Sequence, residues 1–198
     1  MNLTEEFIMK YHTGNILDQI GKVSAICITT NGFVKNNGEA VMGMGIAKQM
    51  AEKFPELPTL LGRAIRANGN CVNYLITLQG HTGHSTRIYS FPVKPVSLLV
   101  PNPDAINRLV VKHAQAKTNV GATVPGFHCK ANVEIIRRSA LELLEVYKSD
   151  NLSHVLLPLP GCGAGELSFK RNVETMLLPI LASDKFHLMS FKPEDFRK

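Results

Sequence analysis

The sequence predicts an α/β fold with a central, largely parallel but mixed sheet and helices on both faces. Three observations carry this expectation. Short apolar, β-branched runs alternate with amphipathic helical stripes along the 198 residues. Two adjacent strand-like runs, 71–78 and 86–93, are joined through a glycine-containing loop and so supply one hairpin. Two glycine-rich loops, 38–46 and 161–166, each follow an apolar strand and precede a helix. In sheets of this kind a ligand sits beyond the carboxyl ends of the strands, where both loops emerge.

Composition narrows the class. A chain of 198 residues suffices for one domain with a full core, so a single domain over 1–198 is expected. Hydrophobic content of 44% against 19% charged residues is the balance of an ordinary globular protein. No apolar run reaches the roughly 20 residues of a membrane helix, and the first residues lack a signal-peptide layout, so no membrane partner and a cytoplasmic location are expected. Cys27, Cys71, Cys129 and Cys162 are scattered without a C-x-x-C pair, which points to reduced thiols and to neither a zinc site nor a redox dithiol. His81 and His84 lack a third ligand nearby in sequence, so no metal and no cofactor are expected. The formal charge of +6 suits an anionic partner, either a nucleotide-sized anion or a nucleic-acid surface. A monomer is the expected state.

In chain order, residues 7–12 read as a short strand, followed by a turn through Gly14, Asn15 and Ile16. Residues 24–30 are an apolar strand. A helix is expected over 45–54, where Ile46, Met50 and Phe54 share a face, and a second over 57–67, stopped at Asn68-Gly69-Asn70. After the hairpin the pattern dissolves: Pro95, Pro101, Pro103 and Pro125 with Gly121 and Gly126 predict a long loop or lid over about 95–130, with room for a helix at 105–116. A helix at 131–147, a strand at 154–159, a helix through Val173 and Leu177 kinked by Pro179, and a strand at 185–191 complete the reading.

Gly43 and Gly45 place bare amides at a helix start, where the positive end of the dipole favours an anion. They do not form a dinucleotide fingerprint, because the third glycine is replaced by Lys48 and twelve residues separate Thr30 from Gly43. A Walker loop fails as well, since Gly38-x-x-x-x-Gly43 is followed by Met44-Gly45. Two readings stand on composition: a diphosphate clamp of amide donors from both loops, and a pair of plain turns.

Specific motifs add to this. Thr30-Asn31-Gly32, Val41-Met42-Gly43-Met44-Gly45-Ile46-Ala47, Phe54-Pro55-Glu56-Leu57, Phe91-Pro92-Val93-Lys94 and Pro160-Gly161-Cys162-Gly163-Ala164-Gly165, in this order, resemble the macro domain family. The nearest branch is that of the DarG-type antitoxins of bacteria and phages and, more distantly, the terminal ADP-ribose glycohydrolase. The resemblance spans most of 13–191, with 95–130 excepted. It implies a three-layer α/β/α sandwich that binds ADP-ribose. Gly43, Met44, Gly45 and Ile46 would lie along one side of the diphosphate, and Gly161, Cys162, Gly163, Ala164, Gly165 and Glu166 along the other. Thr30 and Asn31 end the second strand, with Asn31 near the distal ribose, and Asn15 and Ile16 lie where the family holds adenine. Phe169 stands where relatives often carry Trp, with stacking on the nucleotide and packing beneath it both open.

Three departures are visible. Asn15 replaces the aspartate of the adenine motif and accepts without charge. The carboxylate that some relatives carry at the position of Gly165 is missing. The His and Trp that often follow the family lysine are Pro95 and Val96.

The resemblance implies that Lys94 acts on the anomeric carbon of the distal ribose, with Asn31 positioning the sugar. An amine can attack that carbon only when deprotonated; a nearby diphosphate raises its pKa and burial lowers it. The alternative is a lysine that only neutralises phosphate. Leaving-group protonation would fall to Glu166, His128 or water, and a folded 95–130 segment would bring His113 or His128 to the cleft. Cys162 at a helix entrance is a thiol candidate, against the plainer reading of a small residue in a tight loop. The expected function is binding of ADP-ribose or a derivative, with hydrolysis of ADP-ribose from a modified nucleic acid or protein; the alternatives are a non-catalytic binding module and an ADP-ribose 1″-phosphate phosphatase.

Overall fold

A computed structural model describes residues 9–80 and 83–197. Phe7 and Ile8 of the first expected strand, and His81, lie outside the described residues. Six strands form the main sheet: β1 (Lys10–Thr13), β2 (Ala25–Thr30), β3 (Tyr74–Gln79), β4 (Ser85–Pro92), β7 (Val155–Pro158) and β8 (Phe186–Ser190). Their order is β1-β8-β7-β2-β4-β3, with every neighbouring pair parallel except the β3–β4 hairpin at the edge. The sheet is therefore mixed and mostly parallel.

Alternation along the strands feeds two cores. Ala25, Cys27, Tyr89, Phe91, Val155, Leu157, Phe186 and Leu188 pack on one face against α5 (Val133–Ser149) and α6 (Thr175–Leu177), with Ile136, Ala140, Leu143 and Leu177 in the same cluster. Ile26, Ile28, Ile88, Leu156 and Met189 face the other way, onto α1 (Gly45–Lys53) and α2 (Leu57–Asn68) through Ile46, Met50, Leu57 and Leu61. Helices thus cover both faces of one sheet, a three-layer α/β/α sandwich.

Two segments differ from the sequence reading. The 95–130 region carries β5 (Ser97–Leu99) paired antiparallel with β6 (Thr123–Pro125), plus α3 (Pro103–Leu109) and α4 (Lys112–Gln115). Val100, Ala105, Val110, Val111, Ala114, Val124 and Cys129 give it a small core of its own. The expected single helix breaks at Val110 and Val111, which sit in extended backbone and are buried. Near the carboxyl end, the expected helix is a π-helical turn, Phe169–Glu174, continued by α6 and finished before Pro179, which has no amide hydrogen to continue it.

β2 lies between β7 and β4 in the sheet. The chain leaves β2 toward α1, on one side, and leaves β7 toward the second glycine loop, on the other. Both loops therefore open at the same end of adjacent strands, which is where the candidate site is built.

Candidate functional site

The first loop is an excursion that returns to its origin. Asn31 staples it: its Nδ2 donates to the Val41 carbonyl at 2.9 Å and its Oδ1 accepts from the Phe33 amide at 3.0 Å. An isolated bridge between Val34 and Ala40 and the Lys35 amide bonded to the Glu39 carbonyl close the excursion. Gly43 is thereby delivered beside the end of β2. Gly45 opens α1 at φ +59°, a left-handed conformation that favours glycine, and Met44 caps the helix without a side-chain acceptor. Among the described residues the amides of Gly43, Met44, Gly45, Ile46 and Ala47 donate no hydrogen bond. A Cβ at Gly43 or Gly45 would meet nothing within 4 Å among the described residues.

The second loop is tighter. The Leu167 amide donates to Gly161 and the Glu166 amide to Gly163, each at 3.0 Å, while the Gly165 carbonyl accepts from Ala131 at 2.9 Å. These bonds use carbonyls and leave the amides of Gly163, Ala164 and Gly165 without a partner among the described residues. Gly165 has no room for a side chain: its Cβ would stand 2.5 Å from the Gly161 oxygen and 2.6 Å from the Ala131 Cβ. The carboxylate missing at this position is thus excluded by packing. Burial pushes the Cys162 thiol up to about 12, with the Asp195 charge adding to it, so the loop cysteine holds its proton at neutral pH.

Both loops line one cavity of about 710 Å³, within the range of small-molecule sites. Ile16, Thr30, Asn31, Gly43, Met44, Gly45, Ile46, Lys94, Gly161, Cys162, Gly163, Ala164, Gly165 and Phe169 all reach its wall. Two candidates do not. Asn15 spends its side-chain oxygen on the Leu17 amide at 3.0 Å, capping the 3-10 helix Ile16–Gln19. Glu166, at φ +60°, turns toward the 97–130 segment: its carboxylate accepts from the Lys112 amide at 2.7 Å and pairs with Lys130 at 3.2 Å. Burial alone would raise the Glu166 pKa, but the Lys112 amide and Lys130 outweigh it and hold the carboxyl below its usual value.

Phe169 is 1% exposed and meets Tyr11 and Phe196 edge-on, so it packs beneath the cavity floor instead of offering a free face.

Lys94 is 7% exposed. Its Nζ donates to the Ala164 carbonyl at 2.9 Å and lies 3.4 Å from the Phe127 carbonyl, joining the second glycine loop to the 97–130 segment. Burial lowers its pKa, partly opposed by Cys129 and Glu166. Among the described residues no group of three or more His, Cys, Asp or Glu side chains could hold a metal ion.

Several wall residues carried no signal in the sequence. Phe127 comes from the 97–130 segment and meets Phe33 at 5.2 Å between centroids. Phe191, 56% exposed, stands just after β8, and Asp195 accepts from Ser190 Oγ at 2.6 Å. Only an exposed aromatic directly after an apolar strand could have flagged Phe191. His113 and His128, which a folded segment was expected to bring to the cleft, are both on the wall.

No family model matches the sequence, and no curated protein does either. Solved structures do resemble it. The macrodomain of Mycobacterium tuberculosis DarG matches at 19% identity with a TM-score of 0.61, over 91% of this chain and 96% of that one. The macrodomain of Thermus aquaticus DarG matches at 18% identity with a TM-score of 0.59, over 93% and 98% respectively. Thermosipho africanus DarTG, solved in complex with ADP-ribose, matches at 14% identity and a TM-score of 0.55, over 89% of this chain and 43% of that one. The chain has the macrodomain fold.

Proposed function

We propose that this protein binds ADP-ribose or a close derivative, its diphosphate held between two rows of backbone amides. One observation carries the reading: among the described residues the amides of 43–47 and of 163–165 lack partners, and both rows line the same cavity. Unpartnered donors at a helix start and in a glycine loop favour an anion, and two rows suit two linked phosphates. The structural neighbour solved with ADP-ribose supports the same ligand. Adenine would lie toward Ile16 and Phe191, with Phe191 as an exposed ring to stack on. The distal ribose would lie toward Asn31 and Lys94. Asn31 keeps one amide hydrogen and one lone pair beyond its loop bonds for a sugar hydroxyl.

A catalytic reading goes with the binding one. It is favoured by Lys94, whose buried amine titrates below an ordinary lysine and so has a larger neutral fraction. Lys94 would serve as nucleophile or electrostatic catalyst in releasing ADP-ribose from a modified nucleic acid or protein, and a nucleic-acid substrate would draw on the net charge of +6. Incubation with ADP-ribosylated DNA, ADP-ribosylated protein and ADP-ribose 1″-phosphate, each with wild type and Lys94→Ala, tests this. Release from one substrate, lost in the variant, supports the enzyme; calorimetric binding with no turnover of any leaves a binding module.

A further inference from the structure

His113 and His128 stand on the cavity wall, and the binding reading gives neither a task. They come from different elements, α4 and the 3-10 turn Gly126–His128, and their rings lie 5.6 Å apart between centroids. Phe127 covers His128 at 4.5 Å. The Nδ1 of His128 is buried and has no hydrogen-bond partner among the described residues. With Nδ1 closed off, a water in the cavity meets the ring at its other nitrogen, Nε2, which makes no hydrogen bond among the described residues.

The surroundings also act on the titration of the ring. Burial lowers the pKa of His128, and His113 of α4, Lys94 after β4 and Lys117 after α4 lower it further. That direction favours the neutral imidazole, which has one ring nitrogen free to accept a proton. Lys94 reaches the carbonyl of Phe127, the residue just before His128, so base and amine share one end of the cavity. The second glycine loop has no room for a carboxylate at Gly165, and Glu166 points to Lys112 and Lys130.

We infer that His128 is the general base of a hydrolytic step at this end of the cavity, acting on water that attacks the anomeric carbon of the distal ribose. The inference rests on the ADP-ribose reading above. The water oxygen bonds to the anomeric carbon, and the bond from that carbon to the leaving oxygen or nitrogen breaks, its electron pair going to the leaving atom. The water proton passes to the His128 imidazole and from there to the leaving group or solvent. Nothing is oxidised or reduced. Lys94 then acts as the neighbouring electrostatic group.

The probe is ADP-ribose carrying 4-nitrophenol at its 1″ position, whose release is read by absorbance and needs no acid. Wild type, His128→Gln and His128→Asn are compared across pH. The expected result is a loss of kcat of about a hundredfold or more in both variants with KM within about threefold of wild type. Wild-type kcat rises with pH to a plateau set by a pKa below the ordinary histidine value, and the variants lose that limb. Should neither variant fold, the wild-type profile decides alone. Unchanged kcat in the variants, a wild-type profile without that limb, or wild type that binds ADP-ribose calorimetrically yet releases no 4-nitrophenol would each overturn the inference. Wild type that fails to bind ADP-ribose would remove the binding reading, and the inference with it.

Discussion

Lys94 Nζ donates to the Ala164 carbonyl at 2.9 Å, so a residue just past β4 sets the orientation of a peptide in the loop that follows β7. Because the peptide unit is planar and trans, turning the Ala164 carbonyl toward Lys94 turns the Gly165 amide away from it. Lys94 therefore shapes one of the two amide rows, whatever else it does.

Replacing Lys94 by Met keeps the stem and removes the donor. The Ala164 and Phe127 carbonyls are then left inside, which is expected to cost about 1–3 kcal/mol in denaturant unfolding. Affinity for ADP-ribose falls as well, because the peptide is free to turn. Unchanged stability and affinity would mean that the lysine bonds carry nothing.

Glycines of the two loops divide by available space. Gly165→Ala forces a methyl against the Gly161 oxygen and the Ala131 Cβ, so it is expected to destabilise the fold by about 1–3 kcal/mol. Gly43→Val meets no atom of the described residues within 4 Å at its Cβ, so the melting temperature should hold while the side chain obstructs the cavity and weakens ADP-ribose binding. Thermal melts and calorimetry on the pair separate structure from site.

Acid should destabilise the protein through its histidines. Burial lowers the pKa of His187, which is bonded to His12 at 3.0 Å, and that of His128. A histidine with a folded pKa below its unfolded value binds fewer protons when folded, so stability rises with pH across that interval and is lost as pH falls from about 6.5 toward the folded pKa. Melting temperature measured between neutral and mildly acidic pH should decline for wild type. The decline should be shallower in His187→Asn.

Glu166 ties the second glycine loop to the 97–130 segment through the Lys112 amide and Lys130. Glu166→Ala removes both bonds and is expected to cost about 1–2 kcal/mol, concentrated locally. Hydrogen exchange should quicken in α4 more than in β2 or β7. Equal change everywhere would contradict a local tie.

Much of the fold was legible because its elements are long or strongly patterned. The strand expected over 24–30 is β2, Ala25–Thr30, and the helices expected over 45–54 and 57–67 are Gly45–Lys53 and Leu57–Asn68. Apolar runs buried on both faces and single-face stripes announce themselves locally. The 97–130 segment did not, since helices of seven and four residues and strands of three are too short to show a period. Its order comes from Val100, Val110, Val124 and Cys129 meeting across the chain. For the site, the glycine loops stood out by composition, whereas the outward turn of Glu166 and the engagement of Asn15 with Leu17 depend on backbone geometry that residue identity does not carry.

Isothermal titration of the protein with ADP-ribose, alongside adenosine, tests the central claim most directly. Saturable binding of one ADP-ribose per chain, much tighter than any adenosine binding, is the predicted result, because the two amide rows act on the diphosphate. No heat of binding for ADP-ribose even at millimolar concentration, or equal affinity for adenosine, would contradict it.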